Sequence, residues 1–351
     1  MKTLPALLRG LCGSLLALTL TGPAPAAPAS DDPRPRLMIT TDIGGDPDDQ
    51  QSLVRLLHYA NEFAWEGLLA TSSGTPGERR DASPRPELIR EQIEAYRLIR
   101  PRLLRHAEGW PEADTLLGLI KVGRRERGAD FIGEGHDTEA SRWIIARVDA
   151  GSPERPLNLS VWGGQTDLAQ ALWRVNHERG ADGLGAFAAR LRVHDIADQD
   201  GIAGRMRAAY PGLHYVLSVA APGADKRTAS FRGMYLGGDE SLTSRAWVEK
   251  HILSSSPLGA LFPTETWTAP NPHGCLKEGD TPSWFFFLPL GGNDPSDPSR
   301  PGWGGRYERA DDGWWIDPST RHDPDAARAT VHRHRPAFQA DFARRLDWAR
   351  E

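Results

Sequence analysis

Four aspartates fall within the eight residues Asp42-Ile43-Gly44-Gly45-Asp46-Pro47-Asp48-Asp49. Like charges packed this closely repel one another strongly unless a proton or a cation sits among them. Carboxylate oxygens are the preferred ligands of hard ions such as calcium. The pattern therefore points to a metal site with one carboxylate left over for acid–base chemistry. Helix capping competes with this account, because aspartate suits the positive end of a helix. Capping explains one or two of the four acids. Two rival motifs fail on spacing. An EF-hand loop opening at Asp42 needs a glutamate at its last position, where Leu53 stands. An Asp-x-Asp phosphotransferase needs a carboxylate where Gly44 stands.

The elements around the acids read as the repeating unit of an α/β sheet. An apolar run at residues 36–41 precedes the acidic stretch, and residues 50–61 follow it with Leu53, Leu56, Leu57 and Ala60 at helical spacing. Further strands are expected at 65–71, 157–162, 191–196 and 213–218, with helices at 86–106 (broken at Pro101), 139–149 and 168–177. Residues 241–253 read as helical, a short core helix opens at Asp280-Thr281-Pro282, and an amphipathic stretch at 323–348 closes the chain. Strand and helix alternation predicts a mostly parallel central sheet flanked by helices. Such sheets bind ligands at the carboxyl ends of their strands, which is where the acidic stretch falls.

Composition narrows the function classes. Residues 1–27 have the Lys2 and Arg9 charges, the apolar run and the Ala24-Pro25-Ala26 end of a secretory signal peptide, with cleavage expected near Ala26. Residues 28–35 form a Pro-rich lead-in, and residues 36–351 read as a single domain. No later stretch is apolar enough for a membrane span. The net charge of -5 becomes more negative once the leader is removed, which disfavours nucleic acid as a partner. Cys275 is then the one remaining cysteine, so no intrachain disulfide is expected. His332 and His334 alternate with Arg333 and Arg335 and read as basic surface rather than metal ligands. Of the tryptophans, Trp267, Trp303, Trp314 and Trp315 are candidates for a sugar cleft, and Trp303 is the foremost because it lies between glycines.

Several segments together resemble the nucleoside-hydrolase-like domain of secreted bacterial proteins named as cellulose-binding. These are Asp42 to Leu57, Glu66-Gly67-Leu68-Leu69-Ala70, Trp162-Gly163-Gly164-Gln165-Thr166-Asp167, Lys277-Glu278-Gly279-Asp280-Thr281-Pro282, Trp303-Gly304-Gly305-Arg306 and Phe338-Gln339-Ala340-Asp341-Phe342. The resemblance implies an α/β, nucleoside-hydrolase-like fold and a calcium ion at the carboxyl edge of the sheet. By motif it makes Asp42 and Asp49 metal ligands, Thr166 a ligand through its backbone carbonyl, Asp280 the last ligand and Asp48 the general base. Gln165 and Asp200 are candidates for gripping the sugar. The implied activity is calcium-dependent hydrolysis of an N- or O-glycosyl bond with inversion, on a small sugar, glycoside, nucleoside or polysaccharide. The alternative is a carbohydrate-binding protein on the same fold. This chain departs from typical nucleoside hydrolases in three ways: the interval from Asp42 to Asp48 is two residues longer, Gly279 stands where some carry a histidine, and the asparagines that grip ribose in those enzymes have no clear counterparts.

Overall fold

The computed structural model describes residues 32–72, 83–266 and 274–350. The expected leader, half of the lead-in (28–31) and Trp267 lie outside the described residues. In chain order the main elements are β1 (Arg36–Thr41), α1 (Pro47–Leu57), β2 (Ala64–Ala70), α2 (Pro86–Leu103), α3 (Ala113–Gly118), β3 (Ile120–Val122), α4 (Glu139–Asp149), β4 (Leu157–Val161) and α5 (Gln165–Ala188). The second half adds β5 (Leu191–Ile196), α6 (Ala203–Ala209), β6 (His214–Ser218), α7 (Arg245–Val248), α8 (Thr281–Phe285), β7 (Glu308–Arg309), β8 (Trp315–Ile316), α9 (Ala326–His332) and α10 (Arg335–Arg350).

The eight strands form one sheet in the order β3-β2-β1-β4-β5-β6-β8-β7. Every neighbouring pair is parallel except β7 with β8. The strands β1 and β4 are buried along their whole length, as expected of a parallel sheet covered on both faces. One apolar cluster packs α1, α2, α8 and α10 against the sheet, and a second packs α4, α5 and α6. The chain winds outward from β1 through β2 to β3, then returns to lay β4 on the other side of β1. Between β1 and β4 the winding therefore reverses. Their carboxyl ends diverge there and leave a crevice, the usual ligand position in an open α/β sheet.

Several element boundaries differ from the sequence expectation, and two of these differences bear on function. Helix α1 begins at Pro47 rather than at residue 50, so Asp48 and Asp49 lie in its first turn. Proline at the first helical position and acids in the first turn both favour this start. Helix α5 begins at Gln165, which moves Gln165, Thr166 and Asp167 from a loop into a helix, and it runs on past a kink at Gly180. Pro101 sits inside α2 without breaking it. Residues 241–253 form a 3-10 turn, the short α7 and a π turn instead of one helix. The closing stretch is two helices, α9 and α10. Among the described residues no helix is long and apolar enough to cross a membrane.

Candidate functional site

At the crevice between β1 and β4, the acids gather into a pocket lined by Asp42, Asp46, Asp48, Asp49 and Asp280 together with Lys277, Arg232, Phe231, Gln199, Ala197 and Ile196. Asp42 follows the last residue of β1. Asp48 and Asp49 come from the first turn of α1, and Asp280 comes from the residue before α8. One oxygen each of Asp48, Asp49 and Asp280 lies within 4.8 Å of the others. Asp42 stands beside Gly163, where a Cβ would come within 2.4 Å of Asp42 Oδ1. The end of β4 is thus glycine because Asp42 occupies the space.

The chemistry of this donor set fits a hard cation. Burial, then the negative charges of Asp42, Asp280 and Asp48, pushes the Asp49 carboxyl well above the ordinary range. Burial, then the charges of Asp48 and Asp42, does the same to Asp280. Such groups ionise fully only if positive charge enters among them. Asp280 stands at the N-cap position of α8, yet its side chain makes no capping hydrogen bond. Its Oδ2 is buried without a hydrogen-bond partner among the described residues. An unsatisfied buried carboxylate oxygen is costly, and a divalent ion is one partner that removes the cost. Asp49 is oriented by the Thr41 hydroxyl, which donates to its Oδ1.

Sequence reasoning gave no role to two charged members of the site. Lys277 Nζ contacts Asp46 and lies 3.2 Å from Asp48 Oδ2. Burial alone would lower the Lys277 ammonium, but the charges of Asp48 and Asp46 outweigh it and hold it above its usual value. Asp46 is pushed up to about 7 by burial and by Asp48, against the pull of Lys277. The second is Arg232. Its Nε donates to Lys226 O at 2.9 Å, its Nη1 donates to Tyr235 Oη, and its guanidinium lies 4.9 Å from the Phe231 ring. The Lys277-Glu278-Gly279-Asp280 motif carried the one available signal for Lys277, a cation three residues before an expected metal ligand. Gly279 also has a steric reason. A Cβ there would meet Asp48 Oδ2 at 2.8 Å, so a side chain would displace the carboxylate.

The segment bearing Lys277 and Asp280 is held by α1. Gln51 Oε1 accepts from the backbone N–H of Lys277 (2.7 Å) and Glu278 (3.0 Å), and its Nε2 donates to Cys275 O at 2.6 Å. One turn further on, Arg55 donates to both Glu278 oxygens at 2.7 and 2.6 Å and to Gln339 Oε1 at 2.8 Å. The helix that carries two of the acids therefore also fixes the segment that carries the last one.

Trp303, Trp314, Gln165 and Asp200, candidates for contact with a ligand, have their partners elsewhere in the fold. Trp303 is 9% exposed and packs against Phe285 and Phe338 in the core, so it belongs to the core and not to a sugar cleft. Its flanking glycines serve packing: a Cβ at Gly304 would collide with the Phe286 backbone at 2.5 Å. Trp314 is likewise buried, stacked on Tyr215. Gln165 is turned into the sheet, where it donates to Asp195. Asp200 accepts from Thr166 N at 2.8 Å and from Thr166 Oγ1 at 2.6 Å, which makes it a cap of α5 rather than part of the acidic pocket. Thr166 stands in the first turn of α5, with its backbone N–H and its hydroxyl both bonded to Asp200. Gln165, Thr166, Asp200 and Trp303 had read as turn or loop residues, whereas Gln165 and Thr166 begin α5 and Trp303 lies in the core.

Asp195, beside Gln165 in β5, is fully buried, accepts from Tyr215 Oη at 2.6 Å and is pushed up to about 8, chiefly by burial. Its folded pKa exceeds the unfolded one, so the folded chain holds more protons between the two values. Stability is then expected to fall as pH rises from the ordinary aspartate range to about 8. Asp195→Asn should flatten this slope and raise the denaturant midpoint at alkaline pH, which unfolding curves across that range would measure.

Comparisons with known proteins bear on the fold and the family. No curated protein matches the sequence. Among solved structures, the chain resembles a nucleoside hydrolase-related hypothetical protein from Saccharophagus degradans that is associated with carbohydrate metabolism. The identity is 33%, the TM-score 0.70, and the match covers 91% of this chain and 72% of the other. Residues 36–307 match the family model described as cellulose-binding Sde182, nucleoside hydrolase-like domain. With the sheet order, the crevice and most of the chain accounted for, the protein belongs to the cellulose-binding Sde182 nucleoside-hydrolase-like domain family.

Proposed function

We propose that this chain is an exported, calcium-dependent hydrolase of glycosyl bonds. The observation that carries the reading is the convergence of Asp48, Asp49 and Asp280 at the crevice, with Asp280 Oδ2 buried and unsatisfied among the described residues. Asp42, Asp49 and Asp280 would hold the ion, and when bound it would supply Lewis acidity toward water and grip on sugar hydroxyls. Asp48 takes the proton from the attacking water. Attack from one face and departure from the other, through an oxocarbenium-like state, inverts the anomeric centre. Lys277 balances the charge of Asp46 and Asp48 while they are ionised. The leader-like residues 1–27 support export.

A second reading has an observation of its own. Lys277 already bonds Asp46 and sits beside Asp48, which ties the base to a resident cation. That contact, and the family's description as cellulose-binding, support a carbohydrate-binding protein that performs no chemistry.

One experiment separates the two. Calcium content is measured on the purified protein and on Asp280→Asn, and hydrolysis of glycosides and nucleosides is screened with and without chelator. Chelator-sensitive turnover, with calcium uptake lowered about a hundredfold in the variant, is expected of the hydrolase. Bound calcium without turnover selects the binding protein. Unchanged uptake by Asp280→Asn sinks the metal assignment.

A further inference from the structure

The acidic pocket is small. Its free space of about 60 Å³ has room for an ion, a few waters and the edge of a sugar reaching in from beside it. It does not end there. Its wall of Ala197, Gln199, Phe231 and Arg232 is shared with a second cavity of about 370 Å³. That cavity shares Asp198 and residues 219–222 with a third of about 460 Å³, which reaches Arg207, Asp317 and Thr320. The three follow the carboxyl ends of β5, β6 and β8 in succession, past Ile196, Val219 and Asp317. The two larger ones each have the size of a small-molecule site.

We propose that this row of cavities is one cleft, and that it receives a glycan of several units whose far end extends away from the acids. The inference rests on the reading that a glycosyl group sits at the acidic pocket, and it names the substrate class as oligosaccharide rather than nucleoside. The lining suits such a ligand. Val219, Ala220, Ala221 and Pro222 offer a small-residue apolar surface to the C–H faces of sugar rings. Lys226, Arg207, Ser319 and Thr320 offer polar groups to the hydroxyls around them. Among the described residues Phe231 is the one aromatic residue lining the second cavity, and it is 4% exposed, so these linings favour sugar C–H faces over a flat base.

The sill between the acids and the cleft is rigid and strained. Ala197 and Asp198 adopt positive φ angles of 80° and 47°, costly for residues other than glycine. The Asp198 carboxylate holds the turn by accepting from Ile202 N and Ala203 N, both at 2.9 Å, and Gln199 donates to Trp162 O and Ile196 O. Arg232 stands at the same boundary with two of its nitrogens already committed.

Calorimetry on the full chain with calcium tests the cleft, using glucose, xylose and galacturonate against their 1,4-linked di- and tetrasaccharides. For at least one series the affinity should rise tenfold or more from disaccharide to tetrasaccharide. Ala221→Trp places a large ring in the cleft from an exposed position, and Ala220→Phe serves as its second version. Each should return the tetrasaccharide to disaccharide affinity and leave calcium uptake unchanged. Affinity independent of length in every series overturns the proposal, as does length dependence that survives both variants. Tight inosine binding that Ala221→Trp blocks, with no gain from sugar length, assigns the space to a nucleobase and also overturns it. Length-dependent binding that the variants abolish, without calcium uptake or turnover, retains the cleft and rejects the hydrolase.

Discussion

Asp48→Asn is expected to lower turnover by about two to four orders of magnitude while sugar affinity survives. The substitution keeps the shape of the side chain and removes its ability to take a proton. The surroundings make the test clean. Gly279 leaves room for the side chain, and Lys277 remains to bond Asp46 after the Asp48 charge has gone. Removing that charge also relieves repulsion on Asp46, Asp49 and Asp280, so calcium uptake should be measured beside the kinetics. A protein that only binds sugar would show no change in its function. Turnover that persists within a few-fold of the parent would remove Asp48 from the role of base.

Glu278→Gln should produce the largest loss of stability among single changes near the site, on the order of 3–5 kcal/mol. Arg55 and Glu278 are both 0% exposed and bond through two nitrogens and two oxygens. Removing one charge leaves the guanidinium buried without its partner, 3.9 Å from the ring of Phe342. Urea unfolding would register the loss as a lower midpoint at constant slope. The double variant Arg55→Met with Glu278→Leu should be less damaging than Glu278→Gln alone, because neither charge remains. Equal or greater damage in the double variant would mean that packing, not charge, dominates there.

Much of the sheet was legible in the sequence because buried parallel strands are short apolar runs. The strands β1, β2, β4, β5 and β6 fall within a residue or so of their expected positions. Helix starts were harder. Polar first turns look like loops, and both α1 and α5 begin with residues that were assigned to turns. That shift also moves Gln165 and Thr166 from an expected turn into a helix. At the site, the acids were legible because four like charges in one stretch demand an explanation. Lys277 was not, since its meaning depends on a pairing across 231 positions of sequence. Trp303 misled for a related reason: glycines beside an aromatic ring mark close packing as readily as an open loop. The strands β7 and β8, with two residues each, lie below what periodicity can detect.

The clasp that Gln51 and Arg55 make with residues 275–278 and Gln339 sets the order in which the protein is completed. During synthesis the acids of α1 emerge early, while Lys277, Asp280 and the α10 residue Gln339 emerge late. Until then the early aspartates have only one another and solvent for company. Pairings so distant along the chain make for slow folding. The acidic pocket and the fold are therefore completed as one event, and a nascent chain carries no half-built pocket.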